Sequence, residues 1–282
     1  MKPMRRAIAV VVAVFATIAL VPTATATASG AASQQHAATP QHNAASRHQK
    51  ASKPSYVALG DSYSAGSGAL PPTDACLRSA AAFPVLLAKL GRLELTHAAC
   101  GGATMAQVAS TQLAALSKST DFVTVQAGGN DIGFVPVFAA CATLADEDCW
   151  APLAAANAYL DTTFVKDAGA LYKAIKKKAP KAKLIVVGYP RLFNGTNCST
   201  NVYYSPTEQA RMNATIDLLN TRLAQAAKKV RAAFANPTKA FKGHAWCDKA
   251  SWITPPEVQI AFHPTALGQA LGLLPVVARK FL

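Results

Sequence analysis

Four short clusters of residues carry the chemistry of this chain. "YVALGDSYSAGSG" (56–68) runs an apolar stretch straight into Gly60-Asp61-Ser62, and "CGGATMAQV" sets Gly101 and Gly102 behind Cys100. "GGND" ends on Asn130 and Asp131, and "FHPTALGQ" delivers His263 near the C-terminus. A hydroxyl, a glycine amide, a carboxamide and an imidazole are the parts of an acyl-transfer site. A serine hydroxyl becomes a competent nucleophile when a base takes its proton, and an imidazole that is neutral near pH 7 does this. Attack on a carbonyl throws negative charge onto its oxygen, for which the amides of Ser62 and Gly102 and the side-chain NH2 of Asn130 are suitable donors. Gly60 allows a sharp turn, and Gly102 lets backbone approach a substrate without a Cβ in the way.

Taken singly, these clusters read as a turn, loop punctuation, a helix cap and a helix entry. They become a site only if the fold brings them together. From Ser55 onward, apolar runs at 56–60, 93–99, 122–129 and 182–189 alternate with longer helical patterns. That alternation predicts an α/β domain of repeated βα units, a parallel sheet with helices on both faces. Loops after the strands of such a sheet converge on one rim, so the first three clusters share it. A weak further strand is expected near "KAFKG" (239–243). The strongest helix spans 205–234: Ser205 caps it, Pro206 suits its first turn, and Glu208 completes a capping box. Met212, Ile216, Leu219, Leu223, Val230 and Phe234 then recur along one face. "TALGQALGLLPVVARKFL" (265–282) reads as a closing helix broken at Pro275. His97 falls within a strand pattern and reads as a core residue, whereas His244 in "GHAWCD" reads as structural, near Cys247.

The N-terminus has a different character. A basic head, "MKPMRR", an apolar run of roughly 15 residues and small residues at Ala-x-Ala spacing make residues 1–28 a secretory signal peptide. The run is short against the roughly 20 residues of a membrane span. Residues 29–54 have almost no large apolar side chain and read as a disordered leader. His36, His42 and His48 lie in it at a spacing of six, which suits a solvated tail better than a metal site. One domain, 55–282, follows, and the sequence expectation is a monomer in the extracellular medium.

Of 28 basic and 14 acidic residues, six basic and no acidic ones precede Pro54, leaving the domain at +8. Much of that charge lies in "KAIKKKAPKAK" (173–183), where cations complement a helix C-terminus, and an anionic membrane surface is a conceivable partner. Export and the absence of any recognition motif argue against nucleic acid. All six cysteines (Cys76, Cys100, Cys141, Cys149, Cys198 and Cys247) follow the leader, so export favours disulfides. No Cys-x-x-Cys pair or histidine cluster has zinc-binding spacing. Sequential pairing is the simplest scheme, although sequence alone leaves other pairings open.

The four clusters, in order, resemble the blocks of the GDSL or SGNH hydrolases, and the resemblance spans Tyr56 to the C-terminus. "GYPRLFNGTNC" and "GHAWCDKASWI" are similar to its secreted actinobacterial branch of lipases, esterases and phospholipases. The resemblance implies a three-layer αβα sandwich on a flavodoxin-like parallel sheet of about five strands. It implies Ser62 as nucleophile, His263 as base, Gly102 and Asn130 as oxyanion donors, and disulfides Cys76–Cys100, Cys141–Cys149 and Cys198–Cys247. It implies neither metal nor cofactor. Lipid esters, acylglycerols or phospholipids, are the expected substrates, with acetylated polysaccharide as the alternative and a non-catalytic surface binder as a third reading. The chain departs from the family at Ile260, where most members carry an acid three residues before the histidine. The carbonyl of Ile260 or Ala261 is therefore expected to orient His263, with Glu257 as the competing candidate.

Overall fold

The computed structural model describes residues 52–142 and 146–281. The expected signal peptide, and the leader except for its last three residues, lie outside them. In chain order the elements are β1 (Ser55–Gly60), α1 (Ser62–Ala65), α2 (Phe83–Gly91), β2 (Glu94–His97), α3 (Met105–Gln107) and β3 (Phe122–Gln126). They continue with α4 (Phe134–Cys141), α5 (Asp146–Thr162), α6 (Phe164–Lys178), β4 (Lys183–Val187), α7 (Pro206–Lys229), β5 (Ala233–Ala235) and α8 (Leu274–Phe281).

The five strands pair in the order β2-β1-β3-β4-β5, every pair parallel. Tyr56, Phe122 and Lys183 align at one end of the three central strands, and Gly60 aligns with Gln126 at the other. Helices α5, α6 and α7 pack on one another, and α2 packs with α8, which gives the three layers. Being covered on both faces, β1, β3 and β4 are buried along almost their whole length, and this is why they read as mainly apolar runs, with Thr124 and Gln126 of β3 as buried polar exceptions.

Helix α7 begins as expected, with the Ser205 and Glu208 capping box and Pro206 in its first turn. It stops at Lys229, short of the predicted end. Arg231 turns the chain through a left-handed backbone (φ +56°), and Phe234 becomes part of β5 instead of the helix face. Residues 239–243, expected as a strand, form turns, and their buried Phe241 packs on Gly272 and Trp252. Nor does Pro275 break the closing helix. The chain widens into a π-helical stretch over Gly268–Leu273, in which the Leu274 amide reaches back to the Gln269 carbonyl, and Pro275 then falls in the first turn of α8.

Disulfides join Cys76 to Cys100, Cys141 to Cys149 and Cys198 to Cys247, the pairs implied by the family resemblance. Four helices whose C-termini lie at the starting edge of the sheet carry cations in their last turns. These are Lys89 in α2, Lys176 to Lys178 in α6, Lys228 and Lys229 in α7, and Arg279 and Lys280 in α8. They complement the helix dipoles and gather positive charge at the edge opposite the strand C-termini. Among the described residues no helix is long and apolar enough to cross a membrane.

Candidate active site

Ser62 owes its position to the way β1 ends. Gly60 has φ +135°, and a Cβ there would lie 2.2 Å from the Gln126 carbonyl oxygen, so only glycine fits. The buried Gln112 side chain bonds both the amide (2.8 Å) and the carbonyl (2.9 Å) of Gly60. Asp61 then caps α1, its carboxylate accepting from the Tyr63 amide at 2.9 Å and from the Tyr189 hydroxyl. Burial pushes the Asp61 pKa up to about 7, against the pull of those two donors. Half-buried Ser62 is left as the first residue of the helix, with its side chain at the rim.

His263 meets it there. Its Nε2 stands 2.6 Å from Ser62 Oγ and its Nδ1 2.6 Å from the Ala261 carbonyl oxygen. A carbonyl only accepts, so the Nδ1 contact requires a proton on Nδ1 and leaves the Nε2 lone pair facing the serine hydroxyl. Desolvation lowers the pKa of His263 below the ordinary imidazole value, partly opposed by the Ala261 bond. The Ile260 carbonyl is engaged elsewhere: it accepts from the Thr254 hydroxyl at 2.6 Å. The same hydroxyl accepts from the His263 amide at 2.9 Å, and backbone bonds join Thr254 to Phe262 and His263. Phe262 takes a left-handed backbone (φ +58°), and its carbonyl accepts from the Tyr63 hydroxyl at 2.5 Å. Glu257 is exposed and receives the Ser199 hydroxyl.

The two remaining loops are tied to this frame. Asn130 donates one side-chain N–H to the Ala103 carbonyl at 3.0 Å, which leaves its second N–H for another acceptor. Asp131 accepts from the Met105 amide, and the Tyr189 hydroxyl accepts from the Gly129 amide at 3.2 Å. Tyr189 thus bridges the Ser62 turn and the Asn130 loop. Gly102 is exposed, with no atom within 4 Å of where its Cβ would stand. Ser62, Gly102, Asn130 and His263 all line one cavity of about 430 Å³, which continues between Val135, Phe138, Val202 and Ile260. A larger hollow of about 580 Å³, bordered by Arg191, Lys239 and Phe241, contains none of the four.

Several positioning residues had no sequence signal. Thr254, Tyr63 and Tyr189 act through bonds made across 9, 199 and 128 residues of chain respectively. Only the "GSG" ending of the first motif held a clue: a Cβ on Gly68 would lie 2.7 Å from His263 Cβ. His97 proves half-buried, its Nε2 at 3.1 Å from the Ser64 carbonyl, with burial lowering its pKa to about 4. His244 stacks on Trp252, with ring centroids 3.5 Å apart.

The model of the GDSL-like lipase/acylhydrolase family matches residues 58–271, which include all four site residues. The chain belongs to that family. As a GDSL-like enzyme it is a carboxylic ester hydrolase. It is 38% identical over 230 residues to Lipase 1 of Streptomyces coelicolor, covering 79% of this chain and 85% of that one. Among solved structures, this GDSL-like fold is similar to phospholipase A1 from Streptomyces albidoflavus NA297 (TM-score 0.77, 33% identity, 81% of this chain and 100% of that one). The extracellular lipase of Streptomyces rimosus is comparable (TM-score 0.76, 35% identity, 80% and 99%).

Proposed function

We propose that this GDSL-like enzyme is an exported, monomeric serine hydrolase of lipid esters, acylglycerols or phospholipids, working through an acyl-enzyme at Ser62. The observation that carries the reading is the relay of two 2.6 Å contacts from Ser62 Oγ through His263 to the Ala261 carbonyl. His263 takes the serine proton as Oγ bonds to the ester carbonyl carbon. Negative charge on the former carbonyl oxygen is held by the amides of Ser62 and Gly102 and the free N–H of Asn130. The C–O bond to the alcohol then breaks, and the alcohol leaves with the proton from Nε2. Water, deprotonated by the same nitrogen, attacks the acyl carbon, the bond from that carbon to Ser62 Oγ breaks, and Oγ takes the proton back from Nε2 as the acid is released. Every proton in this cycle passes through Nε2, and no metal or cofactor is assigned a step.

The apolar wall of Val135, Phe138, Val202 and Ile260 suits an acyl chain better than a sugar, which favours lipid over acetylated polysaccharide. Lipid esters are hydrolysed by the relatives named lipase and phospholipase A1, which supports the same assignment. Export rests on the signal-like residues 1–28.

The test is hydrolysis of acetyl, octanoyl and palmitoyl p-nitrophenyl esters, phosphatidylcholine and acetylated xylan by the parent protein and two variants. Ser62→Ala should abolish turnover on every ester, and Asn130→Ala should lower kcat by about 10²- to 10³-fold. Undiminished rates in Ser62→Ala would remove the nucleophile assignment. Xylan deacetylation without lipid hydrolysis would exchange the substrate class.

A further inference from the structure

Three segments that line the cavity, 132–142, 199–205 and 253–262, hold one charged residue between them, Glu257, and Leu77, Gly101 and Gly102 line it from another side. This is unusual for the surface of so basic a chain. Three large side chains in these segments stand out into solvent, Val135 (69% exposed), Tyr203 (44%) and Val258 (39%). Val135 also lines the cavity that holds Ser62 and His263, together with Phe138, Val202 and Ile260. Tyr203 and Val258 lie outside the cavity lining and are bystanders to the chemistry. Glu257 is bonded by the Ser199 hydroxyl, a contact that joins two of the three segments.

Most of the basic residues lie at the other end of the molecule, although Arg191, Lys239 and Lys242 follow the C-terminal ends of β4 and β5. Ser62 follows the C-terminal end of β1, whereas Lys183, at the start of β4, aligns through Phe122 with Tyr56 at the beginning of that strand. The lysines ending α6 lead directly into Lys183, and the C-terminus of α8 reaches the same edge, where Lys183 Nζ bonds the Phe281 carbonyl. Strands of this length put roughly 15–20 Å of sheet between the basic edge and the mouth. An anionic surface attracted to those lysines would meet the wrong pole. The expectation that basic charge draws the enzyme onto an anionic membrane therefore does not fit the placement of the site.

We infer that the rim of Val135, Tyr203 and Val258 docks the enzyme on an uncharged or zwitterionic lipid surface by burying apolar side chains, with the basic pole turned to the water. The inference rests on the lipid-ester reading above and adds a contact surface to it. Apolar burial needs no opposite charge, so attachment should be nearly indifferent to salt, unlike attraction between exposed charges.

The experiment uses phosphatidylcholine vesicles, with and without phosphatidylglycerol, and the double variant Tyr203→Ser/Val258→Ser. Vesicle partitioning by flotation is read in a Ser62→Ala background, so it does not depend on turnover. The expected result is partitioning onto pure phosphatidylcholine that persists at high salt and falls about tenfold or more in the double variant, with an equal loss of vesicle hydrolysis in the active protein. Hydrolysis of soluble p-nitrophenyl butyrate should stay within about twofold of the parent, because neither side chain lines the cavity. Unchanged partitioning in the double variant overturns the docking surface, as does partitioning that requires phosphatidylglycerol and is lost at high salt. A parent enzyme that hydrolyses no acyl lipid, while its Ser62→Ala form still partitions as described, overturns the lipid-ester reading and leaves the docking surface standing.

Discussion

A carbonyl oxygen carries no net charge, so the Ala261 contact selects the tautomer of His263 without supplying the full negative partner that a carboxylate would. Desolvation is then the larger influence, and it favours the neutral imidazole. On the proposed mechanism only neutral His263 takes the serine proton, so the acid limb of the kcat/KM profile should have its midpoint below the ordinary imidazole value of about 6.5. Rates measured on an uncharged ester across acidic to neutral pH check this; a midpoint clearly above 6.5 would contradict it. Glu257 enters the same question. It is exposed and tied to Ser199, so Glu257→Ala should leave kcat/KM within a few fold. A loss on the general-base scale, about 10²-fold, would return the orienting role to a carboxylate. Ser62, Gly102, Asn130 and His263 were legible in the sequence because each combines a distinctive group with a neighbouring motif. The orienting group could be narrowed only to two carbonyls, Ile260 and Ala261, with Glu257 as the competing candidate. The Nδ1 contact goes to Ala261, while the Thr254 hydroxyl donates to the Ile260 oxygen, and nothing in "WITPPEV" announces that bond.

At the scale of elements, the site depends on loops that hold one another. The Ser62 turn is clipped to the Asn130 loop through Tyr189, and to the His263 loop through Tyr63 and the close packing of Gly68. Gly68→Ala should act on chemistry and stability together. Its methyl would meet His263 Cβ and the Pro264 carbonyl oxygen at 2.7 Å each, and backbone cannot yield as a flexible side chain would. Overpacking of this kind costs about 1–3 kcal/mol, which in a domain of this size lowers Tm by roughly 3–10 °C. Displacement of the imidazole should lower kcat in parallel. A variant with parental kcat and Tm would show that the two loops are free to part. Element identity was mostly legible for a related reason: strands covered on both faces are mainly apolar, and α7 announced its start with a capping box. The misread stretch, 230–243, fails that logic. Phe234 continues the helical spacing of α7, and its strand character comes from pairing with Val186, a partner far away in the chain. Phe241 looks like a strand residue but anchors a turn beneath Trp252.

The whole molecule is electrically lopsided. Crossover helices in a parallel sheet return to the edge where the next strand starts, and here the last turns of α2, α6 and α7 are basic, as is that of α8, so topology and the preference of cations for helix C-termini gather charge at one pole. The sequence disclosed the total, +8 for residues 55–282, and its concentration in 173–183, but orientation relative to the site required the sheet register. Three disulfides, with separations of 24, 8 and 49 residues, brace loops about this frame, one of them at Cys100 directly before the two glycines of the cavity wall. The basic pole has a practical corollary for handling the enzyme. On a sulfonated or carboxylated resin at low ionic strength the protein should adsorb lysines-first, leaving its entrance facing the bulk liquid. Immobilised this way it should hydrolyse a soluble ester at close to its free rate, whereas random covalent coupling should silence a share of the molecules. Comparable losses by the two methods would mean that adsorption does not sort one end of the molecule from the other.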